Sequence, residues 1–106
     1  MAPLEGPPPL LVELGEDDSG PVVRLSGELD ITNVDSLRST IEPLLDPSPA
    51  CLTFDLSALT FMDSSGIALF LGSAVKVGTV KLKNPTDVIR LIIMATGLSG
   101  ILRMDP

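Results

Sequence analysis

Apolar residues fall in short blocks separated by glycine, proline and acidic residues, and the spacing within the blocks switches between a strand period and a helix period. Residues 10–14, Leu-Leu-Val-Glu-Leu, read as a first strand, the acidic stretch 15–20 as a turn, and residues 21–26 as a second strand. In that second strand Val23 and Leu25 share one face and Arg24 and Ser26 the other, and the two strands are close enough to form an antiparallel hairpin. Gly27-Glu28-Leu29-Asp30 then turns the chain towards a helix over residues 33–45, where Val34, Leu37, Ile41, Leu44 and Leu45 lie on one face. Thr32 with Asp35 has the look of a capping box, and Pro43 threatens to end the helix early. After the breaker loop 46–50, residues 51–56 predict a third, interior strand with few charges. The segment from Ile67 to Val75 predicts a second helix that is apolar nearly all round, so it is either buried or covered by a partner. Residues 79–83 alternate as a fourth strand. Asn84-Pro85 reads as the cap and first position of a third helix, with Val88, Leu91, Ile92 and Ala95 as its inner face and Gly97 as its stop. Residues 101–104 suggest a short terminal strand. The order β-β-α-β-α-β-α-β predicts a single α/β domain: a mixed sheet of about four or five strands with three main helices packed on it and right-handed crossovers. Residues 1–9, with four prolines, read as a flexible lead-in, and residues 10–106 as the domain.

Candidate chemistry concentrates at Asp63-Ser64-Ser65-Gly66, where a strand-to-helix junction places a carboxylate and two hydroxyls. The first N–H groups of a helix lack internal partners, and Asp and Ser are among the best residues to satisfy them. The same end accommodates anions, so the junction is readable either as a plain cap or as a serine hydroxyl placed where a phosphate can sit.

Composition narrows the choice. A chain of 106 residues supports one core, and with 44% hydrophobic but only 3% aromatic residues that core must be aliphatic. There is no histidine and Cys51 is the single cysteine, which argues against a zinc site, a Ser-His-Asp triad and Cys-His catalysis. No Walker-type phosphate loop is present and no general base near neutral pKa is evident, so neither an enzyme nor a cofactor is expected. The net charge is −7, and residues 1–75 hold 12 of the 14 acidic side chains while residues 76–106 hold 5 of the 7 basic ones. An acidic chain without a basic run is a poor candidate for nucleic acid or an anionic membrane surface; a basic or mixed protein partner suits it better. The N-terminus lacks the basic and apolar regions of a secretory signal, and the longest apolar runs, 67–71 and 91–95, are five residues each, so the expected location is the cytoplasm.

The run Asp55-Leu56-Ser57-Ala58-Leu59-Thr60-Phe61-Met62-Asp63-Ser64-Ser65-Gly66-Ile67 closely resembles the signature of STAS domains, the family of bacterial anti-sigma factor antagonists. Gly27-Glu28-Leu29-Asp30 matches a second mark of that family, and Asn84-Pro85 with Thr96-Gly97-Leu98 a third. The resemblance implies a STAS-like fold, and it implies that Ser64, the first hydroxyl after Asp63, is a phosphorylation site. Partner contacts are then implied for Asp30, Asp63, Ser65, Gly66 and Ile67. The unphosphorylated form would bind an anti-sigma factor that is itself a serine kinase of the histidine-kinase-like ATPase fold, releasing a sigma factor. Phosphorylation would stop this and a serine phosphatase would restore it. The alternative is a STAS scaffold subunit of a stress-signalling assembly or transporter complex, without the phospho-switch. The sequence departs from the family in one place: the second helix runs almost directly into the fourth strand and looks about one turn short.

Overall fold

A two-residue turn, Asp18-Ser19, closes the first hairpin of the computed structural model, which describes residues 10–98 and 100–105. Strand β1 (Leu11–Asp17) pairs antiparallel with β2 (Gly20–Leu29), from Leu11 opposite Ser26 to Asp17 opposite Gly20. The acidic stretch expected to be a turn is therefore mostly strand. Ser19 N–H donates to Asp17 Oδ1 at 2.8 Å, and Gly20 supplies a φ of +137° that a side chain would resist. A Cβ at Gly20 would also stand 2.7 Å from the Cys51 carbonyl oxygen. Gly27-Glu28-Leu29 is likewise strand rather than turn, and the chain leaves the sheet only at Asp30.

Helix α1 (Val34–Ile41) buries Val34, Leu37 and Ile41 and passes into a 3-10 turn at Glu42–Leu45, with Pro43 inside that turn. The expected continuous helix to residue 45 is shortened where proline removes an N–H from the helical ladder. Strand β3 (Cys51–Met62) is twice the expected length and runs parallel to β2. Helix α2 (Ser64–Lys76), strand β4 (Thr79–Lys83), helix α3 (Asp87–Ala95) and strand β5 (Arg103–Asp105) complete the chain. The sheet has five strands in sequence order; only the β1–β2 pair is antiparallel.

The pairing register separates two faces. Val23, Leu25, Leu52, Phe54, Val80 and Leu82 are fully or almost fully buried and join one apolar cluster with residues of all three helices, among them Leu37, Phe70 and Ile89. The opposite face is polar, and one row crosses all five strands with alternating sign: Glu13, Arg24, Asp55, Lys83 and Asp105 are successive register partners. Arg24 lies 3.2 Å from Asp55 and 4.0 Å from Glu13, and Lys81 reaches Asp105 at 3.6 Å. Such cross-strand pairs contribute roughly 0.2–1 kcal/mol each, so they fix register more than they hold the fold.

Helix α2 is only partly covered, and α3 buries a different side from the one expected. Helix α2 buries Ile67, Leu69, Phe70 and Ser73 but leaves Ala68, Gly72 and Val75 exposed. Helix α3 buries Ile89 and Ile93, not Val88, Leu91 and Ala95, which are exposed; Ile92 is half-buried. Its start also moves. Asn84 sits at φ +52°, outside helical space, and the cap is Thr86, whose Oγ1 accepts from Ile89 N–H at 3.4 Å and donates to the Leu59 carbonyl at 3.3 Å. That last bond ties the start of α3 to β3.

Gly72 is exposed in the middle of α2, and an added Cβ would meet no heavy atom within 4 Å. Gly72→Ala is therefore expected to stabilise the chain by roughly 0.5–1 kcal/mol through helix propensity alone. Urea unfolding midpoints of the two proteins check it; an unchanged or lower midpoint would show that the glycine has a packing role.

Candidate functional site

The ends of β2 and β3 lie side by side, since Leu29 pairs with Met62 and Asp63 N–H donates to the Leu29 carbonyl at 3.2 Å. The loop holding Asp30 and the start of α2 holding Ser64 thus leave adjacent strands at the same edge of the sheet. On the other side of β3, the Thr86–Leu59 bond brings in the start of α3.

Asp63 is the N-cap of α2. Its backbone is extended, and its Oδ1 accepts Ser65 N–H at 2.8 Å, while its carbonyl accepts Gly66 N–H at 3.0 Å. Ser64 is the first helical residue and is exposed; Ser65 and Asp63 are half-buried. Gly66 and Ile67 are buried. A Cβ at Gly66 would stand 3.0 Å from Leu29 Cδ2 and 3.2 Å from Met62 Sδ, so the missing side chain lets α2 approach the two strand ends. These two positions shape the site from beneath, and the outward hydroxyl is that of Ser64.

The Asp30 loop is held by its own polar groups. Asp30 Oδ1 accepts from both the backbone N–H (2.9 Å) and the hydroxyl of Thr32. Asn33 accepts Asp30 N–H at 3.0 Å and donates to the Glu28 carbonyl at 2.9 Å. The expected Thr32–Asp35 capping box does not form: Asn33 is the N-cap, Thr32 bonds to Asp30, and Asp35 pairs with Arg38 one turn on. The loop that leads from β2 into α1 uses its side chains to close itself before it caps the helix.

Two apolar side chains at this edge escaped the sequence reading. Ile31 is 71% exposed beside Asp30, and Phe61 is 43% exposed one residue before Met62. A lone Ile within a polar turn was the available signal for the first. The second was hidden by the length of β3.

That length depends on bulges. From Arg24–Asp55 to Ser26–Ala58, β2 advances two residues and β3 three, and a second irregularity lies between Gly27 and Glu28. Each extra residue resets which side chains point inward, so the buried series Leu52, Phe54, Leu56 continues as Leu59 and Met62. Asp55 holds the first bulge: its Oδ1 accepts the N–H (3.0 Å) and hydroxyl (2.8 Å) of Ser57, and its Oδ2 meets Arg24 Nε at 3.2 Å. Burial pushes the Asp55 carboxyl up, but the Ser57 hydrogen bonds and the Arg24 guanidinium outweigh it and hold it below its ordinary value of 3.8. A carboxyl lowered on folding adds stability that is complete above that ordinary value and is lost as pH falls through the folded one. The stability gap between the chain and Asp55→Asn, followed by urea unfolding from pH 6 down to pH 2, should therefore close below pH ~3.8. A gap that does not change with pH would mean that shape rather than charge sets it.

Among the described residues no helix is long and apolar enough to cross a membrane. The STAS domain family model matches residues 12–106. An anti-sigma F factor antagonist of Lysinibacillus sphaericus is 34% identical over 82 residues, covering 73% of this chain and 70% of that protein. The crystal structure of an anti-sigma factor antagonist from Mycobacterium paratuberculosis superposes with a TM-score of 0.85 at 27% identity, over 97% of this chain and 91% of that one. The Bacillus cell fate determinant SpoIIAA in its phosphorylated form gives a TM-score of 0.69 at 27% identity, over 91% and 92%. With the family model over residues 12–106 and the fold over nearly the full length in common, the chain belongs to the STAS domain family, among the anti-sigma factor antagonists.

Proposed function

We propose that this chain is a cytoplasmic anti-sigma factor antagonist, not an enzyme, whose binding is switched by phosphate on Ser64. The unphosphorylated chain binds an anti-sigma factor that is also a serine kinase of the histidine-kinase-like ATPase fold, and so frees a sigma factor. The kinase phosphorylates Ser64 and ends the complex; a serine phosphatase reverses it. The observation that carries this reading is the exposed Ser64 on the first position of α2, beside the capping Asp63 and next to the Asp30 loop. That a relative of the same fold has been solved in a phosphorylated form adds support. Asp30, Asp63 and Ser65 surround the hydroxyl as partner contacts, with Ile31 and Phe61 as apolar additions to the same surface. Gly66 and Ile67 act from below, by setting the height of α2.

Ser64 is favoured over Ser65 for a geometric reason. Ser65 is half-buried with its N–H held by Asp63, whereas Ser64 faces solvent. Incubation with the cognate kinase and ATP, followed by peptide mass mapping, should place the phosphate on Ser64, and Ser64→Ala should remove it. Phosphate chiefly on Ser65, or none on either, would overturn the assignment. A chain that carries phosphate on Ser64 and binds its partner unchanged would instead fit the scaffold reading.

A further inference from the structure

Helix α3 leaves most of an apolar surface uncovered. Its only charged residues are Asp87 and Arg90, yet only Ile89 and Ile93 are buried. Val88 is 51% exposed, Leu91 66% and Met94 55%. A helix that is apolar nearly all round is ordinarily covered on all sides. From these observations we propose that α3 is a homodimerisation surface, and that a second copy of this chain covers it by antiparallel packing about a two-fold axis through Leu91.

The spacing suits that occupant. Val88, Leu91 and Met94 recur every three residues, so a two-fold axis at Leu91 sets Leu91 on Leu91 of the other copy and Val88 on Met94. An interface about a two-fold axis must be self-complementary in this way. Charge points to the same occupant. The chain carries −7, and 12 of its 14 acids lie in residues 1–75, but α3 holds one acid and one base. Two copies can meet there without opposing their acidic surfaces. A partner recruited by that acidity finds no net charge on α3 to answer.

Area sets the strength. With Ala95 and with Ile101 in the turn beyond, the exposed apolar surface is roughly 400–500 Å² per copy, the size of the largest apolar patch on a typical monomer, which is often functional. Doubled, it falls short of the ~1,200–2,000 Å² of a standard stable interface. The dimer is therefore weak and reversible, with a dissociation constant of roughly tens to hundreds of micromolar. This inference stands apart from the phosphate reading of Ser64, which lies on α2.

Sedimentation velocity of the full chain from ~10 μM to ~1 mM, a range spanning the weak class of interface, should show a reversible monomer–dimer equilibrium. Leu91→Glu, which puts two carboxylates on the axis, should weaken it at least ~100-fold with an unchanged melting temperature. Leu91→Cys in a Cys51→Ser background should cross-link to itself under mild oxidation. Asp87→Cys in the same background should not, because two copies of position 87 lie roughly 12 Å apart along the helix pair. A monomer at every concentration overturns the proposal, as does a dimer that tolerates Leu91→Glu or fails to cross-link at position 91. A face covered by residues 1–9 of the same chain would appear as such a monomer, converted to a dimer only when those residues are removed, and it too would overturn the proposal.

Discussion

Ser64→Glu is expected to lower the affinity for the cognate anti-sigma factor at least ~100-fold, while Ser64→Ala binds about as well as the unaltered chain and resists inactivation by ATP. The local terms are small. At the first residue of α2 the helix dipole favours a negative charge by roughly 0.3–1 kcal/mol. Asp63 opposes it, and its carboxylate already occupies the Ser65 N–H that a phosphate would otherwise use. Neither term is large enough to refold the domain. The partner meets a different situation. Ile31 and Phe61 are exposed next to the strand ends from which the Asp30 and Ser64 turns leave, so a partner that covers Ser64 together with them removes the new charge from water. An uncompensated buried charge costs several kcal/mol, and ~1.4 kcal/mol is a factor of ten in affinity. Phosphoserine carries more charge than Glu, so true phosphorylation should act at least as strongly. Circular dichroism and unfolding midpoints of both variants should stay near the starting values. Retained affinity in Ser64→Glu, or loss of its folded signal, would exclude a switch that works by spoiling an interface.

The elements and their order were readable in the chain because the first, second and fourth strands and α1 keep a clear period, and because Asp63-Ser64-Ser65 is unambiguous as a helix start. What escaped reading was set by contacts distant in sequence. Residues 57–62 do not alternate, since two bulges interrupt the inward series, and only pairing with residues 26–29 of β2 turns them into strand. The carboxylate of Asp55 that stabilises the first bulge looks like a strand end when its partner Arg24 is out of view. Helix α3 is a different case. Positions 88, 89 and 91–95 are all apolar, so the period admits more than one inner face. The structure buries Ile89 and Ile93 and joins Thr86 to the Leu59 carbonyl, a contact that nothing in the local sequence announces.

Among the described residues, one aromatic contact joins the strand that leads into the Ser64 turn to the helix that follows it. Phe54 of β3 and Phe70 of α2 are fully buried, with ring centroids 4.7 Å apart and planes inclined at 49°. Phe54→Ala removes the buried ring from the strand that leads into the turn and leaves a cavity beneath α2. A phenylalanine truncated in a core costs roughly 3–5 kcal/mol, which for a domain of this size lowers the melting temperature by roughly 15–30 °C. Phe54→Leu retains most of the volume and loses the aromatic contact, worth roughly 0.5–1.5 kcal/mol, so it should fall well short of that loss. The pair separates two roles for the core. If Phe54 only holds the fold, the folded fraction of Phe54→Ala at low temperature should accept phosphate on Ser64 at the normal rate. If it also holds α2 at its height above Leu29 and Met62, the folded fraction should be a poorer kinase substrate, and Phe54→Leu should recover most of the activity. The contact of Gly66 with both side chains leaves α2 little freedom to settle elsewhere, and on that ground the second outcome is expected. A loss of melting temperature below ~1 kcal/mol in equivalent stability would mean that the aliphatic side chains close the cavity on their own.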